Sequence, residues 1–539
     1  VGAGPSGLLL ALTLLKNGVS VRIIERDAEY HRGERGPGIM PRSLEIEHFL
    51  GVADDVKKAA ARSLVLQMYD PKDPYKIIKS SNILEQVEPT PAFPETVPAT
   101  LGQWKHQAIL RKAIEALGCS VELGTAFVSF QQDGEKVVTQ LSKSADGKTV
   151  TEEAEFAYVV GADGGHSTVR KSLGVKFVGE TREEGVMFVV DCVVEANHWY
   201  RQDLHAWGDT TSAFAAVRHT GTGQVFQVIL SGPDVDYATL KNERSLEALQ
   251  KALNKVTGRN DLVKEIINWQ GEWRANIRMA EKFQVDRVFL VGDAAHTHSP
   301  TGGQGMNSSI QDAFNLGWKL ALVVKGHAPP ALLPSYEIER IPVISAMLEI
   351  TTDLFNRTFG AGAAAAAAAD REQIWFRGRK LYQLDVNYRW STIVLDERFA
   401  GGESTRVAYG EPGQDVRAGD RAPDAPVSVG GTDTRLFDIF SPAHHTVLLF
   451  GVSEKEAEML GVARTLPSDL VKILLVSSPG EVHVAANDVS SIVVEDKDGH
   501  GRRGYGLEGQ ADSVAVVVRP DGMIGAFATS AKGLERYFS

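Results

Sequence analysis

The opening stretch Val1-Gly2-Ala3-Gly4-Pro5-Ser6-Gly7 constrains the fold more than any other part of this chain. It runs into an apolar segment, Leu8–Lys16, a Gly18 stop, and a hydrophobic run, Val19–Ile24, that ends in Glu25. That order predicts a strand-helix-strand unit of the dinucleotide-binding kind. The first glycine makes the strand-to-helix turn, the second lets a pyrophosphate approach the backbone, and the third lets helix and strand pack closely. Free N–H groups and partial positive charge at the helix start favour phosphate. Glu25, at the end of the second strand, is placed to accept hydrogen bonds from a ribose diol. The same letters recur at Gly499-His500-Gly501-Arg502-Arg503-Gly504, but the surroundings differ. No helix is expected there, because Tyr505-Gly506 and Gly509 continue the glycine-rich stretch up to a strand at Ser513–Val518; the segment reads as a long exposed turn.

At 539 residues the chain has room for two to four domains, taking roughly 100–200 residues for each. Its 57 Lys plus Arg against 69 Asp plus Glu give a formal charge of −12, with no block of five basic residues. Nucleic acid and anionic membrane surfaces need clustered positive charge, so small molecules are the expected partners. The longest apolar run, Leu8–Leu15, falls short of the ~18 residues that span a bilayer, and no membrane span is expected. Cys119 and Cys192 stand far apart with no CxxC, which argues against a disulfide framework or a cysteine zinc site and fits a reducing cytoplasm. Because the sequence starts without Met on a motif that normally comes after a strand, further residues are expected before Val1. The run Ala363–Ala369 carries no functional reading.

The rest of the chain divides by pattern. Between 185 and 275, Met187–Glu195, Ala213–His219 and Gln224–Ser231 read as antiparallel strands, the last two joined at Thr220-Gly221-Thr222-Gly223. Leu246, Leu249, Leu253 and Val256 then mark one face of a helix closed by Gly258. After the polar stretch Tyr409–Pro426, strands Thr446–Phe450 and Lys472–Val476 flank a helical Glu454–Leu460 and predict a small α/β unit.

Two further segments repeat the strand-then-glycine logic. Phe156–Val160 leads into Gly161-Ala162-Asp163-Gly164-Gly165, and Arg287–Val291 into Gly292-Asp293-Ala294-Ala295-His296. An aspartate held at a strand end by a glycine turn can accept bonds from the sugar hydroxyls of a cofactor, or can simply cap a turn. Two such sites imply a ligand longer than one nucleotide. The loop Pro300-Thr301-Gly302-Gly303-Gln304-Gly305 can approach a flat ring closely and precedes a helix expected at Met306–Lys325. His296 and His298 have no third ligand nearby, so no metal is expected.

In this order the three segments resemble the single-component FAD-dependent aromatic hydroxylases, flavoprotein monooxygenases related to 4-hydroxybenzoate and phenol hydroxylases. The resemblance runs along the whole chain: the FAD fingerprint at Gly2–Gly7, the "DG" motif at Asp163-Gly164, and the "GD" motif at Gly292-Asp293 extended through Pro300, Gly302-Gly303, Gly305, Asn307 and Asp312. The tail, with Gly419-Asp420-Arg421-Ala422-Pro423 and Val518-Arg519-Pro520-Asp521-Gly522, is similar to the thioredoxin-like domain of the phenol hydroxylase branch, without redox cysteines. The implied fold is α/β: a discontinuous Rossmann-type FAD-binding domain (1–184 and 276–355), an antiparallel-sheet substrate domain of the 4-hydroxybenzoate hydroxylase type (185–275), a helical connector (356–410) and a thioredoxin-like C-terminal domain (411–539).

By the same resemblance FAD is held by Gly2, Gly4, Pro5, Ser6, Gly7, Glu25 and Arg26 at the fingerprint, and by Arg35 and Gln103 at the phosphates and ribityl chain, with Arg42 a second candidate arginine. Asp163 and Gly164 serve both FAD and NAD(P)H, Gly292 and Asp293 the ribityl hydroxyls, and Pro300, Gly302, Gly303, Gly305, Met306 and Asn307 the ring. The implied activity is that of an NAD(P)H-dependent monooxygenase. NADPH or NADH reduces FAD, O2 adds to give a C4a-hydroperoxide, and the distal oxygen passes to an aromatic carbon activated by a phenolic oxygen. A homodimer is also implied.

One departure matters. Where phenol hydroxylases carry an aspartate in the loop before the arginine equivalent to Arg42, this chain has Pro37, so that scheme for activating the phenol is not carried over. General-base assistance is worth ~10²–10⁴-fold; candidates on the middle sheet are Tyr200, Arg201, His205, Trp207, Arg218 and His219. Oxidative decarboxylation of a hydroxybenzoate, epoxidation and Baeyer–Villiger insertion are alternatives on the same fold. More distant ones are a prenyl reductase and a non-catalytic FAD-binding scaffold.

Overall fold

The computed structural model describes residues 1–61, 65–145, 148–195, 203–359, 376–399, 407–411, 414–451, 453–479, 481, 491–509 and 512–539. The first helix, Pro5–Lys16, is buried from Ser6 through Leu14, as its unbroken apolar sequence requires: a helix hydrophobic on every side belongs in an interior. It packs against the helices Gln103–Ala116 and Gly305–Val324. Gly317 permits the close crossing, since a Cβ there would lie 2.6 Å from the Thr13 side chain. Behind the helix, Ile23–Ile24 pairs parallel with Val121–Glu122, and Val159–Gly161 parallel with Val288–Leu290. The Val1 amine donates to Val160 O (2.7 Å) and Ala162 N to Val1 O (2.8 Å). The fingerprint, DG and GD segments therefore leave adjacent strands at the same end.

The middle sheet has seven strands, in the order Leu262–Trp273, Met187–Glu195, Val225–Ser231, Phe214–His219, Leu204–Gly208, Val65–Asp70, Asp73–Asn82. The last two lie in a segment the sequence assigns to the FAD-binding half. They join through a parallel pairing of Leu66–Met68 with Leu204–Ala206, a contact between residues far apart in sequence that no local pattern reveals. One face, with Val190, Val217, Val228 and Trp207, packs on Leu249 and Leu253 of the helix Leu246–Thr257. Strand alternation turns Asp191, Gln227 and Arg218 to the other face.

The C-terminal region is an eight-stranded mixed sheet. His445–Phe450 and Val471–Ser477 run parallel on either side of the helix Glu454–Thr465, giving the expected β-α-β step, while Val514–Val518 and Ile524–Ala528 complete it antiparallel. One expectation is corrected. The glycine string at 499–504 does contain a helix, the single turn His500–Gly504, started by Gly499 at φ 68° and held by Asp496, which accepts from Arg502 N at 2.9 Å. Of the expected helical connector 356–410, residues up to Phe359 continue the helix Ser335–Phe359, and the described residues after it are 376–399 and 407–410. These contain the 3-10 turn Arg379–Tyr382 and the strand Leu395–Asp396, which pairs with Ile524–Ala528. Gln383 in the left-handed region (φ 61°) and the Asn387 side-chain bond to Val407 O (2.9 Å) favour turns there.

The hairpin at 518–524 docks onto the N-terminal half through buried charges. Arg519 donates to Glu339 (2.7 and 3.0 Å) of the helix Ser335–Phe359 and to Asp521, and Arg421 donates to Glu45 (2.8 and 2.5 Å). Such pairs leave an uncompensated buried charge when one partner is removed, worth about 3–5 kcal/mol. Among the described residues, no helix is long and apolar enough to cross a membrane.

A candidate cofactor cleft and its neighbouring sheet

The three fingerprint glycines have three different surroundings. A Cβ on Gly2 would lie 2.4 Å from Ala162 O, and one on Gly7 would lie 2.0 Å from Gly2 O, so both are required by packing. A Cβ on Gly4 meets nothing within 4 Å. The fingerprint is thus closed inward and open at the start of the helix Pro5–Lys16, where unpaired N–H groups favour an anion. Pro5 sits in that helix's first turn, and Ser6 packs against the GD turn, where a Cβ on Gly292 (φ 59°) would lie 2.3 Å from Ser6 Oγ. Glu25 Oε2 accepts from Ala3 N at 3.0 Å, which fixes the carboxylate beside the glycine turn. Arg26 is paired only loosely with Asp27, at 3.6 Å on the surface.

The two motif aspartates differ. Asp163 accepts from Ser167 Oγ (2.5 Å), Thr168 N (2.7 Å) and Val169 N (3.2 Å), closing the first turn of the short helix Thr168–Ser172, whose N-cap is Ser167. Asp293 is exposed and makes no hydrogen bond or ion pair among the described residues. The GD turn that carries it is rigid underneath. Asp312 Oδ2 accepts from Gly292 N (3.1 Å) and from His296 Nε2 (2.6 Å), while its Oδ1 accepts from Arg340 Nε (2.7 Å). Asp312, His296 and Arg340 are fully buried. Burial pushes the Asp312 carboxyl up, but the His296 ring and the Arg340 guanidinium bonded to it hold it below the usual range. His298 donates to Ser299 O (2.6 Å) and packs on Gly305.

Arg35 lies across from Asp293. Its side chain is solvent-accessible yet crowded by protein, the mark of a cleft wall; desolvation lowers its pKa, while Asp293 and Asp27 raise it. Its guanidinium has no hydrogen bond or ion pair among the described residues. Its backbone stands at φ 43°, a conformation that costs a non-glycine residue roughly 1–2 kcal/mol. Gln103 opens the helix Gln103–Ala116 next to it, with its N–H on Glu34 O at 3.0 Å. Arg42 is placed elsewhere: it is buried, bonded to Glu45 (2.9 Å) and Asp521 O (2.8 Å), and serves the docking of the C-terminal sheet.

The ring loop is braced by Asn307. Its amide donates to Gly38 O (2.9 Å) and Gly303 O (2.8 Å), and its oxygen accepts from Met40 N (2.7 Å) and Ser43 Oγ (2.8 Å). Pro300 O accepts from Gly303 N (3.1 Å), and Gly302 and Gly303 take φ 94° and 64°. Gly305 starts the helix Gly305–Val324, and Met306 packs beside Ile39 and Leu44.

The candidate bases on the middle sheet separate. Tyr200 and Arg201 lie outside the described residues. His205 is on the wrong face: its Nδ1 pairs with Tyr69 OH (3.0 Å) beside Trp207, in the layer under the helix Leu246–Thr257, and burial pushes its pKa down to about 4. His219 holds the hairpin turn, bonded to Gly223 O (2.7 Å) and Gly221 N (3.1 Å). Arg218 faces the cofactor half and donates to Glu34 (2.8 Å). Sequence reasoning missed Glu34, Asp191 and Gln227, which join it there. The signal available was Asp191 itself, an acid inside the apolar run Met187–Val194.

An elongated dinucleotide with a flat ring, as FAD is, fits these residues. The open Gly4 position, the unpartnered Arg35 and Asp293, and the braced glycine loop lie on segments that the fold brings together. Comparisons with known proteins agree. The model of the family described as "FAD binding domain" matches residues 1–351. A flavin-dependent monooxygenase of Mycobacteroides abscessus is 33% identical, over 87% of this chain and 91% of its own. The pentachlorophenol 4-monooxygenase of Sphingobium chlorophenolicum is 32% identical, over 99% and 94%. Among solved structures, aklavinone-11 hydroxylase with FAD and aklavinone has the same fold, with a TM-score of 0.78 at 24% identity, covering 100% of this chain and 97% of that one.

Proposed function

This chain belongs to the FAD binding domain family, as a flavin-dependent monooxygenase of the aromatic hydroxylase type, and from that premise we propose that it hydroxylates a phenolic substrate using NAD(P)H and O2. The observation that carries the reading is the contrast in the cleft: Arg35 and Asp293 stand without partners among the described residues, while the charges beneath them are satisfied. FAD, when bound, takes electrons from the nicotinamide and delivers one oxygen atom of O2 to the substrate.

The protein's own part is binding, orientation and exclusion of water. The N–H groups at the start of Pro5–Lys16 hold the pyrophosphate, with Gly4 leaving room for it, and Glu25 takes the ribose hydroxyls. Arg35 and Gln103 neutralise and orient the phosphate and ribityl end, and Asp293 accepts from ribityl hydroxyls. Asn307 keeps the Gly302-Gly303 backbone at the ring, where the start of the helix Gly305–Val324 stabilises negative charge. The substrate lies against the face of the middle sheet that carries Arg218. Beyond Arg218 and Gln227 the next register row on that face is apolar, Val189, Ile229, Ala216 and Ala206, which suits an aromatic ring system and keeps water out. The names of the relatives support phenols from single rings to polycycles. The family resemblance also supports a homodimer and a thioredoxin-like C-terminal domain at 411–539 with a structural role or a role in dimer contacts, and the isolated Cys119 and Cys192 support a reducing cytoplasmic setting.

The test is NADPH consumption in air by the FAD-loaded protein across simple phenols, hydroxybenzoates and polycyclic phenols, with mass analysis of products. One class is expected both to stimulate consumption and to gain an oxygen. Hydrogen peroxide as the only product with every class would overturn the reading.

A further inference from the structure

Three buried side chains of the middle sheet reach out of it to the same two residues of the cofactor cleft. Asp191, Gln227 and Arg218 form one register row across three neighbouring strands, Asp191 opposite Gln227 and Gln227 opposite Arg218. Their relative exposures are 0%, 3% and 6%. Asp191 Oδ2 accepts from Glu34 N (2.9 Å), Gln227 Nε2 donates to Arg35 O (2.9 Å), and Arg218 donates to the Glu34 carboxylate (2.8 Å). The other Glu34 oxygen accepts from Trp104 Nε1 (3.0 Å), next to Gln103. The N–H before Arg35 and its own C=O are thus both clamped from the sheet, and they bracket the one backbone torsion in the cleft that a non-glycine residue adopts reluctantly, φ 43°.

We propose that Asp191, Gln227 and Arg218 are positioning residues for Arg35, so that the sheet on which the substrate lies also sets the affinity of the cleft for FAD. The row is poorly explained as packing alone. Asp191 Oδ1 and Arg218 Nε are buried without a hydrogen bond, a costly arrangement for polar groups in an apolar sheet, and what it accomplishes is to hold the Glu34-Arg35 backbone. Val189, Ile229 and Ala216 lie on the same face of the same strands, so a ligand pressing on them acts on the strands that carry the clamp. The proposal rests on the reading that this cleft takes FAD.

The experiment is FAD titration of the apoprotein, monitored by flavin fluorescence, for the wild type, Asp191→Leu, Gln227→Met, Arg35→Ala and the double variant Asp191→Leu/Arg35→Ala. Loss of the clamp is expected to raise Kd about tenfold in Asp191→Leu and in Gln227→Met. Asp191→Asn keeps an acceptor for Glu34 N and is expected within about threefold of wild type. In the Arg35→Ala background Asp191→Leu is expected to add almost nothing, because residues acting through one group are not additive. Full additivity, or Asp191→Asn as weak as Asp191→Leu, overturns the proposal. Should Asp191→Leu fail to fold, Gln227→Met in the same cycle with Arg35→Ala decides it. A wild type that binds no FAD would remove the cofactor reading as well, whereas wild-type binding with additive variants removes only the clamp.

Discussion

Asp163 and Asp293 occupy the same place in the sequence, each just past a parallel strand and beside a glycine, yet one is committed and the other is free. Asp163 accepts three hydrogen bonds within six residues, two of them from the first turn of a helix. Asp293 has no partner among the described residues and is held out over a turn whose support, Asp312 with His296 and Arg340, is entirely buried. The difference lies in what comes after each aspartate: four to six residues on, Ser167, Thr168 and Val169 turn a hydroxyl and two N–H groups back to Asp163, whereas no group in the segment after Asp293 donates to it among the described residues. In the proposed reading, the satisfied charges beneath the GD turn are scaffold and the unpartnered Asp293 is left for the cofactor.

The largest expected effect breaks the scaffold side. Arg340→Met takes the guanidinium away from Asp312 Oδ1 and Tyr388 OH in a fully buried site, leaving Asp312 only Gly292 N and His296, and should cost about 3–5 kcal/mol in denaturant unfolding. A loss under about 1 kcal/mol would mean that the GD turn is not carried by this network.

Next comes Asp191, a scaffold charge that is only half satisfied. Burial raises its pKa from 3.8 to about 6. Folding therefore favours its protonated form, and its charge opposes folding by an amount that is absent below the unfolded pKa and fully present above about 6. Asp191→Asn should match the wild type near pH 4 and exceed its stability by roughly 2–3 kcal/mol above pH 6. A difference that does not change with pH would contradict this. The smallest effect tests the committed aspartate: Asp163→Ala removes the acceptor for Thr168 N and Val169 N in the first turn of the helix, worth about 1 kcal/mol, seen as a drop of about 1 °C in the melting temperature of the apoprotein. An unchanged Tm would mean that these bonds contribute nothing to stability.

Much of this is legible in the residues. The fingerprint, the strands Met187–Glu195 and Val225–Ser231, and the helix Gly305–Val324 have local periodicity or glycine punctuation that fixes them. The parallel pairing of Val65–Asp70 with Leu204–Gly208 is not, since it depends on residues far apart in sequence. Nor does the sequence say which arginine is free. Arg35 and Arg42 both fit the motif, and only the position of Glu45 and of the hairpin carrying Asp521 shows that Arg42 is taken. His205 and His219 resemble bases because type and region are readable, whereas the face of a strand or the closure of a turn is set by packing.

The most direct test is the FAD dissociation constant of Asp293→Ala, measured with the melting temperature of the same apoprotein. Kd is expected to rise at least about tenfold, as for loss of a charged hydrogen-bond acceptor, with the apoprotein melting as the wild type does, because Asp293 supports nothing in the described fold. Full FAD affinity, or a loss of affinity that only tracks a loss of stability, would contradict the assignment of Asp293 to the cofactor.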